Sequence, residues 1–189
     1  MTRAAKTSRT RRVAMAAAVA GLLLAGFGAA EAGAQGITIL YCSDQNPETP
    51  LCEGTSETES LVGTDRRDVI RAFSGDDIIN AERGADEAYG GSGVDNINGK
   101  HGNDELYGGT GQDEISDGVM ENGELSTGDT DTLSGNAGND ILNSEDGDYL
   151  DTVRCGDGKY DVVFFDVAGK GQGDTIAANC EYRNELPSN

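Results

Sequence analysis

Residues 90–116 read GGSGVDNIN GKHGNDELY GGTGQDEIS, three nonapeptides end to end. The first and third satisfy G-G-x-G-x-D-x-(aliphatic)-x at every position, and the middle one departs only at Lys100, where a second glycine is expected. Extending the same clock outward places an aspartate at Asp68, Asp77, Asp86, Asp95, Asp104, Asp113, Asp131 and Asp140, with one beat missed at Asn122. Two residues after the beats stand Ile70, Ile79, Ala88, Ile97, Leu106, Ile115, Leu133 and Leu142; two residues before most of them stands glycine. A short, fixed period is the mark of a stacked-repeat architecture whose units cannot bury a core alone.

Each nonapeptide has the parts of half a coil. The x-(aliphatic)-x segment is long enough for one short strand with its middle side chain pointing inward, and the glycines of G-G-x-G-x-D allow tight turns with positive φ. Two nonapeptides then complete one coil with a strand on each side. By this arithmetic every eighteenth residue stacks, so Asp77, Asp95, Asp113 and Asp131 are expected on one edge and Asp68, Asp86, Asp104 and Asp140 on the other. Residues 117–125 keep the phase but lose the pattern, with Met120 and Asn122 in the glycine and aspartate slots. They read either as a degenerate row or as an outward loop one repeat long.

Stacked carboxylates repel one another, and a single aliphatic side chain per row cannot offset that repulsion. A hard dication between rows does. Calcium takes six to eight oxygen ligands in a flexible arrangement, which carboxylates and turn carbonyls from two coils can supply, whereas magnesium demands a strict octahedron and gives up water reluctantly. Zinc does not suit a chain with one histidine, His101, whose cysteines are better used as disulfides.

The rows at Gly90 and Gly108 resemble the glycine-rich nonapeptide of RTX proteins, the haemolysin-type calcium-binding repeats, and the resemblance covers about residues 61–143. It implies an all-β fold, a parallel β-roll (a β-solenoid) in which turn aspartates coordinate calcium and the aliphatic positions form the core. Carried over position by position, the metal-binding residues are Asp68, Asp77, Asp86, Asp95, Asp104, Asp113, Asp131 and Asp140, together with Gly90, Gly91, Gly93, Gly108, Gly109 and Gly111. The best sites are expected between Asp77 and Asp95, Asp86 and Asp104, and Asp95 and Asp113, with Asp113 and Asp131 next. Residues 151–158 also resemble the C-terminal end of small secreted members. Type I exported toxins and enzymes of the family carry a large active domain, and the repeats and caps here leave no room for one.

At the N-terminus, Arg3, Lys6, Arg9, Arg11 and Arg12 precede an apolar run from Val13 to Ala30 and two A-x-A sites ending at Ala34. That tripartite pattern predicts a secretory signal peptide over 1–34 and an extracellular location, through the general or the twin-arginine route. Its removal leaves nine basic against 33 acidic residues, a balance that excludes nucleic acid or an anionic membrane as partner. Residues 35–60 read as a strand and a loop closed by Cys42 and Cys52, residues 61–143 as the repeat array, and 144–189 as degenerate repeats with a cap closed by Cys155 and Cys180. Four cysteines allow three connectivities, so this pairing is a preference.

Nothing in the sequence has the form of a nucleophile with its base, and carboxylate pairs such as Asp76 and Asp77 are supplied by several rows and so single out no active site. The expected function is a non-catalytic calcium-binding module that engages cell-surface or matrix material. The alternatives are an accessory or weakly active polysaccharide-acting module and a disordered acidic buffer.

Overall fold

The computed structural model describes residues 37–42, 51–118, 129–146, 150–166 and 173–185. The expected signal segment 1–34, the polar loop 43–50, Met120 and Asn122 lie outside them. In chain order the strands are β1 (Thr38–Tyr41), β2 (Leu51–Glu53), β3 (Glu59–Val62), β4 (Val69–Ser74), β5 (Ile78–Asn80), β6 (Glu87–Ser92), β7 (Asn96–Asn98) and β8 (Glu105–Gly111). They continue as β9 (Glu114–Ser116), β10 (Thr132–Gly138), β11 (Ile141–Ser144), β12 (Thr152–Asp157), β13 (Val162–Phe165), β14 (Thr175–Ile176) and β15 (Tyr182–Glu185).

Odd-numbered strands form one parallel sheet and even-numbered strands another, each strand pairing with the second strand after it. The chain therefore changes sheet at every row, and two rows climb one rung, as the two-nonapeptide coil predicts. Ser60 stacks on Ile78, Ile78 on Asn96 and Asn96 on Glu114 in one sheet; Val69 stacks on Glu87 and Glu87 on Glu105 in the other. The chain is thus an all-β parallel β-roll of stacked repeats.

The three-residue strands β5, β7 and β9 each bury only the middle residue, which is the period of two expected of a half-covered strand. Ile79, Ile97, Ile115 and Leu142 make one inward column; Ile70, Ala88, Leu106, Leu133 and Val153 make the facing one, and all are buried in a single cluster. The roll continues beyond residues 61–143 at both ends. Strand β1 pairs with β3 and β13 with β15, so the stretch before the array is itself its first rung. The disulfides Cys42–Cys52 and Cys155–Cys180 close these two ends with Cα–Cα distances of 4.7 and 5.2 Å. A stacked-repeat protein needs its terminal rungs tied or capped, because only there does an open sheet edge remain.

The second-glycine slot has positive φ along the array, as at Gly91 (φ 109°). Phe73, Glu82, Lys100 and Asn136 take the same slot with φ between 69° and 78°. Lys100 therefore keeps the turn where its row departs from glycine, at the steric cost of about 1–2 kcal/mol that an L-residue bears there. Tyr89 and Tyr107 stack on the outer face of the even sheet with ring centroids 4.9 Å apart and planes 6° from parallel.

One expectation is corrected. Above β8 and β9 the register changes: Glu105 stacks on Thr132 and Glu114 on Ile141. The coil of Asp104 therefore stacks directly on that of Asp131. Asp131 consequently belongs to the edge of Asp68, Asp86 and Asp104, and Asp140 to the edge of Asp77, Asp95 and Asp113. The expected pairing of Asp113 with Asp131 does not form. The physical reason is simple: an insertion of one row leaves a nine-residue clock in step but exchanges the two edges, each of which repeats only every second row.

Candidate metal centre

The acidic residues form two ladders, one along each edge of the roll. On the first, the backbone N–H of Asp68 donates to Asp86 Oδ1 at 2.7 Å, that of Asp86 to Asp104 Oδ1 at 2.8 Å, that of Asp104 to Asp131 Oδ1 at 2.6 Å, and that of Asp131 to Asp151 Oδ1 at 2.8 Å. On the second, Glu59 N–H donates to Asp77 Oδ1 at 2.7 Å, and the series runs on through Asp95, Asp113 and Asp140 to Asp161 at 2.9–3.0 Å. From Asp77 and Asp86 onward, one oxygen of each carboxylate is thus consumed in fixing the height of the neighbouring coil. All eight aspartates expected from the sequence are in these ladders and are buried, none more than 3% exposed.

The second oxygen is the informative one. Oδ2 of Asp77, Asp86, Asp95, Asp104, Asp113, Asp140 and Asp161 is buried and accepts no hydrogen bond. A buried charged oxygen without a partner costs several kcal/mol, so native structures supply one. At the start of the two ladders the second oxygen is used locally: Asp68 Oδ2 accepts the N–H of Thr64 at 2.6 Å, and Glu59 Oε2 accepts that of Thr55 at 2.9 Å. In the rows of Asp95, Asp104, Asp113 and Asp140 the slot beside Oδ2 is kept open by the first glycine of the repeat, whereas Ala72 and Ala81 hold that position in the rows of Asp77 and Asp86. A Cβ at Gly108 would lie 2.5 Å from Asp113 Oδ2 and 2.9 Å from the carbonyl oxygen of Gly135; one at Gly99 would lie 2.6 Å from Asp104 Oδ2 and 3.0 Å from that of Asp117. Each slot is therefore lined by a carboxylate oxygen of one coil and a main-chain carbonyl of the next.

Burial, first, and neighbouring acids, next, raise these carboxyls above their ordinary 3.8: Asp77 and Asp113 to about 6, Asp86 and Asp104 to about 7, Asp131 to about 8. Backbone N–H donors pull the other way but do not prevail. Burial likewise pushes Asp95, Asp140 and Asp161 upward. Without a cation the fold opposes its own ionised carboxylates.

The donor set suits a hard, oxygen-seeking dication. Coils of a β-ladder are spaced by about 4.8 Å, close to twice the calcium–oxygen distance of about 2.3–2.6 Å and longer than twice the magnesium–oxygen distance of about 2.0–2.1 Å. Of the glycines expected at the metal, Gly90 and Gly108 line slots. Gly91 and Gly93 instead place their carbonyl oxygens against Gly109 and Gly111 of the next coil, where a Cβ on those two residues would collide with them. Their role is close stacking of coils.

Four members of the ladders fall outside the list expected from the repeats: Glu59, Asp151, Asp161 and Asp174, the last accepting the N–H of Asp151 at 3.3 Å. Glu59 is on the nine-residue clock and was legible as an acid. The others follow wider spacings that the clock does not reach, although the aspartate-then-aliphatic rhythm of Asp151, Asp161 and Asp174 survives in the sequence. Asp117 carried no signal of its own except that it is acidic where other rows place Gly or Ala. His101 is exposed and forms an isolated parallel bridge with Arg83.

No curated protein and no solved structure matches the chain. The family described as RTX calcium-binding nonapeptide repeat (4 copies) matches residues 53–88, 89–116 and 126–149, the segments that carry Asp68, Asp77, Asp86, Asp95, Asp104, Asp113, Asp131 and Asp140.

Proposed function

We propose that this chain is a secreted calcium-binding β-roll whose folding depends on the ion, acting as a non-catalytic structural or interaction module outside the cell. The observation that carries the reading is the row of buried Oδ2 atoms that accept no hydrogen bond, those of Asp95, Asp104, Asp113 and Asp140 each in a glycine-kept slot between two coils. Asp77, Asp86, Asp95, Asp104, Asp113 and Asp140 would hold calcium with carboxylate oxygens, and main-chain carbonyls of the adjoining coil would complete its shell. Bound calcium supplies the positive charge that lets like-charged rows stack.

Export is supported by the charged, apolar and small-residue order of residues 1–34 and by two disulfides, which persist in oxidising compartments. Extracellular calcium modules bind with dissociation constants of about 10⁻⁴–10⁻³ M, so weak individual sites suffice there. A net charge of −20 fits partners that are neutral, cationic or bridged through calcium, and surface or matrix material is the expected class.

Because metal-binding free energy here is folding free energy, metal-depleted protein titrated with calcium is expected to gain β-structure in one cooperative step by circular dichroism. A depleted sample whose spectrum equals that of the loaded one would refute the reading.

A further inference from the structure

We propose that Asp117, Asp131 and Asp151 form a cation site of their own at the break in the array, a three-carboxylate site for calcium that fills before the sites of the regular coils. The inference rests on the calcium reading above and concerns a residue outside the repeat consensus.

Asp117 directly follows β9 and occupies the slot that Gly63 and Gly99 occupy on the coils below it. At those positions a Cβ would run into the Oδ2 of the row's own aspartate, 2.9 Å from Asp68 and 2.6 Å from Asp104. At this level a whole carboxylate stands there, and the row's own aspartate is Asp131. One ligand oxygen from each of Asp117, Asp131 and Asp151 lies within 4.8 Å of the others, and all three residues are buried. Asp117 Oδ1 accepts the N–H of Gly118, while its Oδ2 is buried and accepts no hydrogen bond, in a residue only 2% exposed. The residue is held at its height by its own N–H, which donates to Asn143 carbonyl oxygen at 3.2 Å.

Burial first, and then the charges of Asp151, Asp131 and Asp146, all of one sign, push the Asp117 carboxyl up to about 9 against the opposing Gly118 N–H. Asp146 is itself buried and also raises Asp131. Nowhere else among the described residues do three metal-ligating side chains converge in this way. Calcium affinity grows with the number of charged ligands, so this site outranks its neighbours.

The test is calcium calorimetry on the full metal-depleted chain and on Asp117→Asn and Asp117→Gly, each checked for its β-roll spectrum in saturating calcium. Wild type is expected to show one tightest step with a stoichiometry of one, ahead of the remaining ions. In Asp117→Asn that step weakens at least tenfold while the later steps and the final spectrum stay as they were. Asp117→Gly restores the residue of the regular rows, so it keeps a two-carboxylate site and a folded roll even where the asparagine variant folds poorly, and it loses the tight step likewise. Variants that bind calcium with the wild-type isotherm would overturn this proposal and leave the calcium array standing. A wild-type chain that binds no calcium would overturn both.

Discussion

Asp104→Asn is expected to change stability with opposite signs in the two states: more stable than wild type when metal-free, less stable when calcium is present. Asp104 sits between Asp86 and Asp131 on its edge, accepting one N–H on Oδ1 and presenting Oδ2 to a slot. Asparagine keeps the shape and an acceptor for Asp86 N–H, so the ladder survives. What it removes is a buried charge that the metal-free fold opposes, as the upward displacement of that carboxyl to about 7 shows. In calcium the same change takes the charged ligand from the slot that Asp104 Oδ2 faces. A tenfold loss there is about 1.4 kcal/mol, which displaces the calcium midpoint of folding upward.

Asp104→Ala is the harsher companion. It also leaves the buried N–H of Asp86 without its acceptor, a further cost of about 1–3 kcal/mol. Glu114→Gln removes the same charge from an exposed strand position and should move neither midpoint appreciably. Chemical denaturation with and without calcium reads all three. A metal-free Asp104→Asn less stable than wild type would mean that the slot is not a site of charge frustration.

The second large effect is on pH. Asp77, Asp86, Asp104, Asp113 and Asp131 all titrate above their ordinary 3.8 in the folded chain, at about 6 to about 8. A carboxyl whose folded pKa is raised holds its proton better folded than unfolded. Its contribution is therefore full below the unfolded value and is lost as pH rises through the folded one. Metal-free protein should accordingly hold more β-structure near about pH 5 than near about pH 8.5. With calcium the order reverses, because the ion binds only the ionised carboxylates and acid expels it. Dichroism against pH, on resin-depleted and on calcium-saturated protein, should give two curves of opposite slope. Parallel curves would contradict the account, since they would place the titrating groups away from the ion.

Much of this architecture is readable in the residues, and the part that is not has a definite cause. The aliphatic two positions after each aspartate identifies the core columns, because only the middle residue of a three-residue strand faces in, and Ile79, Ile97 and Ile115 lie there. The glycines identify the turns, though not the division of labour between slot-lining Gly108 and stacking Gly91. The edge to which Asp131 belongs was not legible: a clock of one row cannot register an insertion of one row. That decision is made by three-dimensional pairing, in the hydrogen bond from Asp104 N–H to Asp131 Oδ1. Asp117 was missed for a related reason. Its chemistry arises from standing where the stack resumes, next to Asp131 and Asp151, and neither neighbour is close to it in the repeat's own arithmetic.

The central claim is that the unbonded carboxylate oxygens of the two edges are calcium ligands. Its most direct measurement is a long-wavelength anomalous difference map from crystals of the protein grown in calcium. The account predicts two files of peaks, one between successive members of Asp77, Asp95, Asp113 and Asp140 and the other between Asp86, Asp104 and Asp131, each within bonding distance of an Oδ2. A map with calcium elsewhere, or with those oxygens still buried and unbonded, would contradict it.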